Sequence, residues 1–193
     1  MGRPGSGKDT QAELLAKKFG LVHIISSKII EKVLKSPKIS VKIEGRNHNI
    51  ENERCLQRNG SLNTPAFVST LVRSEIKSMA GHGKGIVMSG SPRTLIELKD
   101  ELPLLKKLYG KNTYFFHVAI SPKEVYVRNL KRRRKDLPEL DTRKIIKKRL
   151  AVFNRETLPV IKYLKSKKII FNINGEQPIA KIHKDILKLL PKP

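Results

Sequence analysis

The chain has 193 residues, 38% of them hydrophobic, with 41 Lys and Arg against 17 Asp and Glu and a formal net charge of +24. That length suffices for one domain with a sizeable core; no apolar run approaches the roughly 20 residues a membrane span needs, and the opening residues carry no apolar signal core. The single cysteine, Cys55, excludes an internal disulfide and a cysteine-based zinc cluster. These features read as a cytoplasmic, monomeric protein with no membrane partner. So large a positive charge draws polyanions, nucleic acid among them. Yet no RNA-recognition motif, zinc finger or GXXG loop marks a dedicated reader, and 5% aromatics offer little stacking surface.

The chain opens on GRPGSGK, residues 2–8, which fits the phosphate-loop pattern G-x-x-x-x-G-K. Such a loop, here Gly2, Pro4, Gly5, Ser6 and Gly7 among its residues, turns its available backbone N–H groups around phosphates. The helix that follows adds its positive end. Lys8 is placed to reach the β- and γ-phosphates. The next position usually holds Ser or Thr; here it is Asp9, with Thr10 after it.

A helix is predicted over residues 7–19, then a short apolar strand over 22–26. Residues 37–62 read as irregular and polar, with a small hairpin of strands 39–43 and 49–53 about a turn at Gly45. A helix over 65–79, a strand over 85–90, a helix over 95–109 and a strand over 113–120 follow. The remainder reads as a helix over 123–134, one continuous helix over 143–164, a strand over 168–173 and a helix over 179–190. Short β-branched runs alternating with helices indicate an α/β fold around a parallel sheet. A phosphate loop normally follows a buried strand, whereas this one begins at residue 2. The first, central strand is therefore expected to be missing from the sheet.

Residues 2–24, GRPGSGKDTQAELLAKKFGLVHI, resemble the opening of adenylate kinases. Further segments match that family in order: NGSLNTPAFV (59–68), SGSPRTLIE (89–97), VRNLKRR (127–133), IIKKRLAVFNRETLPVIKYL (145–164) and INGEQPI (173–179). The resemblance covers nearly the whole chain. It implies a three-layer phosphate-loop fold with an acceptor-binding lobe at about 27–61 and a short lid at about 135–141. It implies transfer of the terminal phosphoryl group of ATP, with Mg²⁺, onto a nucleoside monophosphate, AMP or another. Phosphoryl transfer needs positioning and charge neutralisation more than covalent help. By resemblance, Arg93 holds the acceptor phosphate, while Arg128, Arg132 and Arg149 close over the phosphates. Arginine suits this because its planar fork grips two oxygens. Arg128 and Arg132 stand one helical turn apart, on one face. Gly175 belongs to the loop at the ATP adenine. Ser26, Leu62, Asn63, Gly90 and Glu97 fall at the acceptor nucleotide, and no metal ligand set is carried by the protein alone.

Four departures stand out. Glu31 occupies the place of an arginine that binds the acceptor phosphate, and Ser89 that of an aspartate that helps hold Mg²⁺. Pro138 stands where the lid carries a phosphate arginine, and Glu97 where a glutamine reads the adenine. Asp9 is a candidate replacement for the metal carboxylate, Arg46, Arg54 or Arg58 for the acceptor arginine, and Arg143 for the lid arginine. His23, His48, His82, His117 and His183 read as structural or surface residues, and Cys55 as incidental. Two other functions fit the eroded acceptor site and the high charge. One is a phosphate-loop ATPase acting in RNA or ribosome assembly, and the other a nucleotide-binding protein without turnover.

Overall fold

The computed structural model describes residues 1–132 and 141–191. The predicted lid therefore lies almost wholly outside the described residues, as do Arg133, Arg134 and Pro138. In chain order the elements are α1 (Lys8–Phe19), β1 (Val22–Ile25), α2 (Ser26–Leu34), β2 (Ser40–Ile43), β3 (Arg46–Asn49), α3 (Ile50–Arg58), α4 (Pro65–Gly81), β4 (Ile86–Ser89), α5 (Leu95–Tyr109), β5 (Phe115–Ala119), α6 (Pro122–Arg132), α7 (Arg143–Val152), α8 (Leu158–Ser166), β6 (Ile170–Asn174) and α9 (Ile179–Leu187).

Local chemistry sets several boundaries. The helix α1 ends at Gly20 in the left-handed region, whose N–H caps the carbonyl of Ala16, and Lys17 and Lys18 face the negative end of the helix dipole. Asn49, Thr94 and Thr142 cap α3, α5 and α7, each side chain accepting a backbone N–H three residues on. Pro65 begins α4, where its missing donor costs nothing.

Two parallel strand pairs form the centre of the fold: β1 with β4, in register Val22 to Ile86, and β5 with β6, in register Phe115 to Ile170. They are separate pairs rather than one continuous sheet. Apolar layers cover both faces. One gathers Ile24, Phe67, Val72, Ile76, Leu98, Leu105 and Phe115; the other gathers Leu15, Ile173, Ile182 and Ile186. A third cluster, Ile120, Val125, Ile146 and Leu150, ties α6 to α7.

Three sequence expectations need correction. Residues 37–62 are ordered rather than irregular. The hairpin pairs β2 with β3 as expected, but its second strand stops at Asn49, and residues 50–58 are helical. Asn49 ends the strand because its side chain accepts the N–H of Asn52 and starts α3. Residues 26–34, left unassigned by the alternation pattern, form α2 with Ser26, Ile30 and Leu34 buried at helical spacing. The continuous helix expected over 143–164 is interrupted by a π-helical turn at Phe153–Thr157. That wide turn shifts the helix register, so Phe153 and Thr157 both face inward.

Candidate functional site

The phosphate-loop residues form a tight turn ahead of α1. Ser6 N–H donates to the Arg3 carbonyl at 3.1 Å, and Ser6 itself is fully buried. Gly7 lies in the left-handed region and precedes α1 without a side-chain cap, so the first helical N–H groups face the loop. Gly5 also has positive φ, at 78°, and a Cβ there would meet Asn129 Nδ2 at 2.6 Å. Neither strain nor space permits a side chain at that position.

The loop is held from two sides by residues that sequence reasoning did not single out. Asn129 Nδ2 donates to the Pro4 carbonyl at 3.1 Å and to the Val125 carbonyl at 2.7 Å. The Arg3 guanidinium donates to the Ile120 carbonyl and lies 5.7 Å from the Phe153 ring centroid. The available signal for Asn129 was a polar residue four positions after Val125, on the buried stripe of α6. The placement of Phe153 depends on the π-helical turn, which leaves no sequence mark.

Lys8, Asp9 and Thr10 line a cavity of about 1550 Å³. Its walls also include Ser26, Leu62, Asn63, Gly90, Arg93, Glu97, Arg128, Arg132 and Arg149. Burial lowers the Lys8 ammonium below its ordinary pKa, Asp9 opposes that shift, and Arg93 and Arg149 reinforce it. Lys8 Nζ lies 3.5 Å from Asp9 Oδ2. Burial pushes the Asp9 carboxyl up, but Lys8, a hydrogen bond from Ser89 and the Arg93 charge outweigh it, so the net shift is downward. His23 Nε2 is 3.0 Å from Ser89 Oγ. Burial, the largest influence on its pKa, keeps that imidazole neutral.

The predicted cations differ in their commitments. Arg93 Nε donates to the Gly90 carbonyl at 2.6 Å. Gly90 has φ 92°, and a Cβ there would meet Ser26 Oγ at 2.3 Å, so glycine lets the β4 end close on α2. Arg128 is held by Glu124 at 2.6 Å and by the Gly175 carbonyl at 2.8 Å. It thereby links α6 to the loop after β6. Arg132 is exposed and Arg149 half-buried, both on the cavity wall.

Other predicted residues are engaged inward. Asn63 Nδ2 donates to the Glu53 carbonyl and to Glu53 Oε2, both at 2.9 Å, leaving Leu62 beside it on the cavity wall. Glu97 is 1% exposed and accepts from Ser91 Oγ and from the Arg93 N–H, each at 2.9 Å. Its carboxylate thus holds the turn that carries Arg93. Glu31 is exposed and paired with Lys35 at 2.8 Å.

Among the candidate replacement cations, Arg54 and Arg58 line the cavity and Arg46 does not. Arg54 is bound to the Leu34 carbonyl and Glu51, whereas Arg58 is 75% exposed with only a 3.9 Å contact to Glu51. Arg143 is exposed and off the cavity wall. Among the described residues, no three His, Cys, Asp or Glu side chains gather as a metal site. No helix among them is long and apolar enough to cross a membrane.

The adenylate kinase family model matches residues 1–169. The adenylate kinase of Leptospira biflexa is 29% identical over 97% of this chain and 96% of its own length. Adenylate kinase isoenzyme 1 of Cyprinus carpio is 26% identical over 98% of this chain and 91% of its own. Human adenylate kinase isoenzyme 5 is 30% identical over 91% of this chain, which corresponds to 29% of that longer protein. With the match spanning the phosphate loop, the arginine-lined cavity and most of its length, the chain belongs to the adenylate kinase family and is an ATP-dependent phosphotransferase.

Proposed function

We propose that the chain transfers the γ-phosphoryl group of ATP to AMP, using Lys8 and the loop of residues 2–8 for ATP and Arg93 for the acceptor phosphate. The observation that carries this reading is that Lys8, Arg93, Arg128, Arg132 and Arg149 line one cavity. Five cations around one space suit two phosphate-bearing ligands whose charge must be neutralised as the phosphoryl group moves.

The division of labour follows from each residue's partners. Lys8 is desolvated and, among the described residues, pairs with the Asp9 carboxylate at 3.5 Å, so a phosphate is its natural additional partner. Arg93 keeps Nε on Gly90 and has its remaining N–H groups for an acceptor. Arg128 is held by Glu124 and Gly175 and fixes the loop that would carry the adenine of ATP. Arg132 and Arg149 would close from the side of the lid, about residues 135–141. The lobe formed by α2, the hairpin and α3, about residues 27–61, would enclose the monophosphate, with Arg58 as the additional acceptor cation.

Mg²⁺ fits this site. Magnesium retains several waters and needs only one or two carboxylates beside substrate phosphates. The Asp9 carboxylate, with the Thr10 and Ser89 hydroxyls nearby, would hold it. When bound, it would offset the negative charge of the phosphates.

A coupled assay for ADP formation across AMP, CMP, UMP and GMP tests the reading. Acceptor-dependent consumption of ATP, greatest with AMP, is the expected result. Consumption without any monophosphate would favour the assembly ATPase, and activity greatest with another base would overturn AMP alone.

A further inference from the structure

Four α-helices turn back into the strands that follow them, so their connections lie at the end of the fold where the parallel strands begin. These connections are residues 20–21 before β1, 82–85 before β4, 110–114 before β5 and 167–169 before β6. The site of Lys8 and Arg93 lies at the other end, where Ser26 and Gly90 directly follow β1 and β4.

The four connections form one row. β1 and β4 start in register at Val22 and Ile86, and the Val22 N–H donates to the Gly85 carbonyl at 2.9 Å. Tyr109 Oη donates to the Lys84 carbonyl at 3.1 Å, which ties the connection before β5 to the one before β4. β5 and β6 start in register at Phe115 and Ile170.

Positive charge is segregated onto this row. Residues 16–21, 78–85, 106–114 and 165–169 hold the connections and the helix ends that lead into them; together they carry nine Lys and no Asp or Glu. All nine lysines are exposed, and among the described residues none pairs with a carboxylate. Lysines in the last turn of a helix offset its dipole, which accounts for those on α1 and α5. Lys84 and Lys111 lie past the α-helices and have no such role.

The backbone at Lys168 points the same way. Each connection holds one residue of positive φ: Gly20 at 63°, Gly83 at 65°, Gly110 at 56° and Lys168 at 57°. Glycine takes that conformation freely, whereas lysine is strained in it. The fourth turn therefore keeps a cation where glycine would fit without strain.

A row of cations suits a linear polyanion. Two features favour a nucleic-acid strand over an anionic membrane. Within the four stretches Leu108 alone is an exposed large apolar residue, too little to insert into a bilayer. Tyr163, one turn before Lys167, is 42% exposed, and Lys167 Nζ lies 5.8 Å from its ring centroid. A base can stack on that ring beside a phosphate-binding cation.

We propose that the end of the fold where the strands begin binds single-stranded nucleic acid, with lysines of the four connections on its phosphates and Tyr163 against a base. This surface is separate from the nucleotide site and does not rest on the kinase reading.

The test uses the full chain and a fluorescein-labelled oligouridylate of about 12 nucleotides, within the span of single-strand sites. Fluorescence anisotropy is measured across salt concentrations for the wild type and two triple variants. One is Lys107→Gln, Lys111→Gln and Lys167→Gln; the control, Lys144→Gln, Lys147→Gln and Lys148→Gln, removes the same charge from α7. Wild type should bind saturably. Each phosphate contact contributes about 0.7 to the slope of log affinity against log salt, so the first variant should flatten that slope by about 2 and bind at least about tenfold more weakly. The control should stay near wild type. Lys168→Gly should bind more weakly yet melt no lower, an opposition that a structural lysine does not produce. Saturating ATP should leave binding unchanged.

Absence of saturable binding overturns the proposal. Equal losses in the two triple variants overturn it too, because total charge then explains the affinity. Displacement by ATP overturns it by placing the strand in the nucleotide cavity. Binding of phosphatidylserine vesicles but not of the oligouridylate overturns it in favour of a membrane surface. None of these readouts uses catalysis, so their failure is distinct from failure of the kinase reading.

Discussion

Ser91 Oγ lies 2.5 Å from Glu101 Oε1 and 2.9 Å from Glu97 Oε2, with all three residues buried. A hydroxyl has one proton to donate, so two carboxylates cannot both be served by Ser91. One carboxyl must bring its own proton. Burial, reinforced by the neighbouring Glu97 and Asp100 charges, pushes Glu101 up to about 8, against the hydrogen bond from Ser91. At neutral pH Glu101 is therefore protonated and donates to Ser91, which donates to Glu97. Glu97 in turn accepts the Arg93 N–H, so this relay fixes the turn that presents Arg93.

The relay makes stability depend on pH. Glu101 has an ordinary value of 4.5 and a folded value of about 8. Its folded state holds the proton more tightly, so the stabilisation is present at low pH and is lost as pH rises through the window from 4.5 to about 8. Each pKa unit is worth about 1.4 kcal/mol and each kcal/mol about 2–4 °C for a domain of this size. The wild type should lose at least about 5 °C in Tm between pH 5 and pH 9. Glu101→Gln, which keeps a donor without the titration, should remove most of that slope. Differential scanning calorimetry across pH decides it; an unchanged slope in the variant would remove Glu101 as its source.

Asn129 tethers the phosphate loop to α6 through the Pro4 carbonyl. Asn129→Ala removes a buried donor and leaves that carbonyl unsatisfied, at a cost of about 1–3 kcal/mol. The variant should melt lower and bind ATP several-fold more weakly. Normal ATP affinity in a folded Asn129→Ala protein would mean that the loop holds its shape without α6.

Lys8→Ala should lower kcat/KM by at least about 10³-fold, or about 4 kcal/mol. The melting temperature should be unchanged or higher, because a desolvated ammonium is removed. Isothermal titration with ATP and a coupled assay measure the two effects. Retained turnover would take Lys8 out of the phosphate site.

For Arg93→Ala the effect should fall on the acceptor. The kcat/KM for the monophosphate should drop by at least about 10²-fold, or about 3 kcal/mol. Affinity for ATP alone should stay within a few-fold. Equal losses for both nucleotides would instead assign Arg93 to general support of the cavity. Arg58→Ala, at an exposed side chain on the same wall, should raise the acceptor KM with little change in Tm.

Residue identity and spacing alone determined the phosphate loop, the alternation of β1, β4, β5 and β6 with helices, and the family. Each of these is local: a loop of fixed pattern, a run of β-branched residues, or an ordered series of short motifs. The hairpin was legible from its Gly45 turn, but the switch from strand to helix at Asn49 was not, because it rests on one capping bond competing with continued pairing.

Tertiary structure decided the rest. Glu97 stands in the motif of a base-reading residue, yet its carboxylate is turned inward by Ser91, Thr94 and the Arg93 N–H. Arg54 and Arg58, equal candidates by position, were separated by the Leu34 carbonyl, which only folding brings to Arg54. The tether from Asn129 spans 125 positions of sequence. Pairing partners and burial are properties of the folded neighbourhood, and a residue's type and spacing record them only where the neighbour is close in the chain.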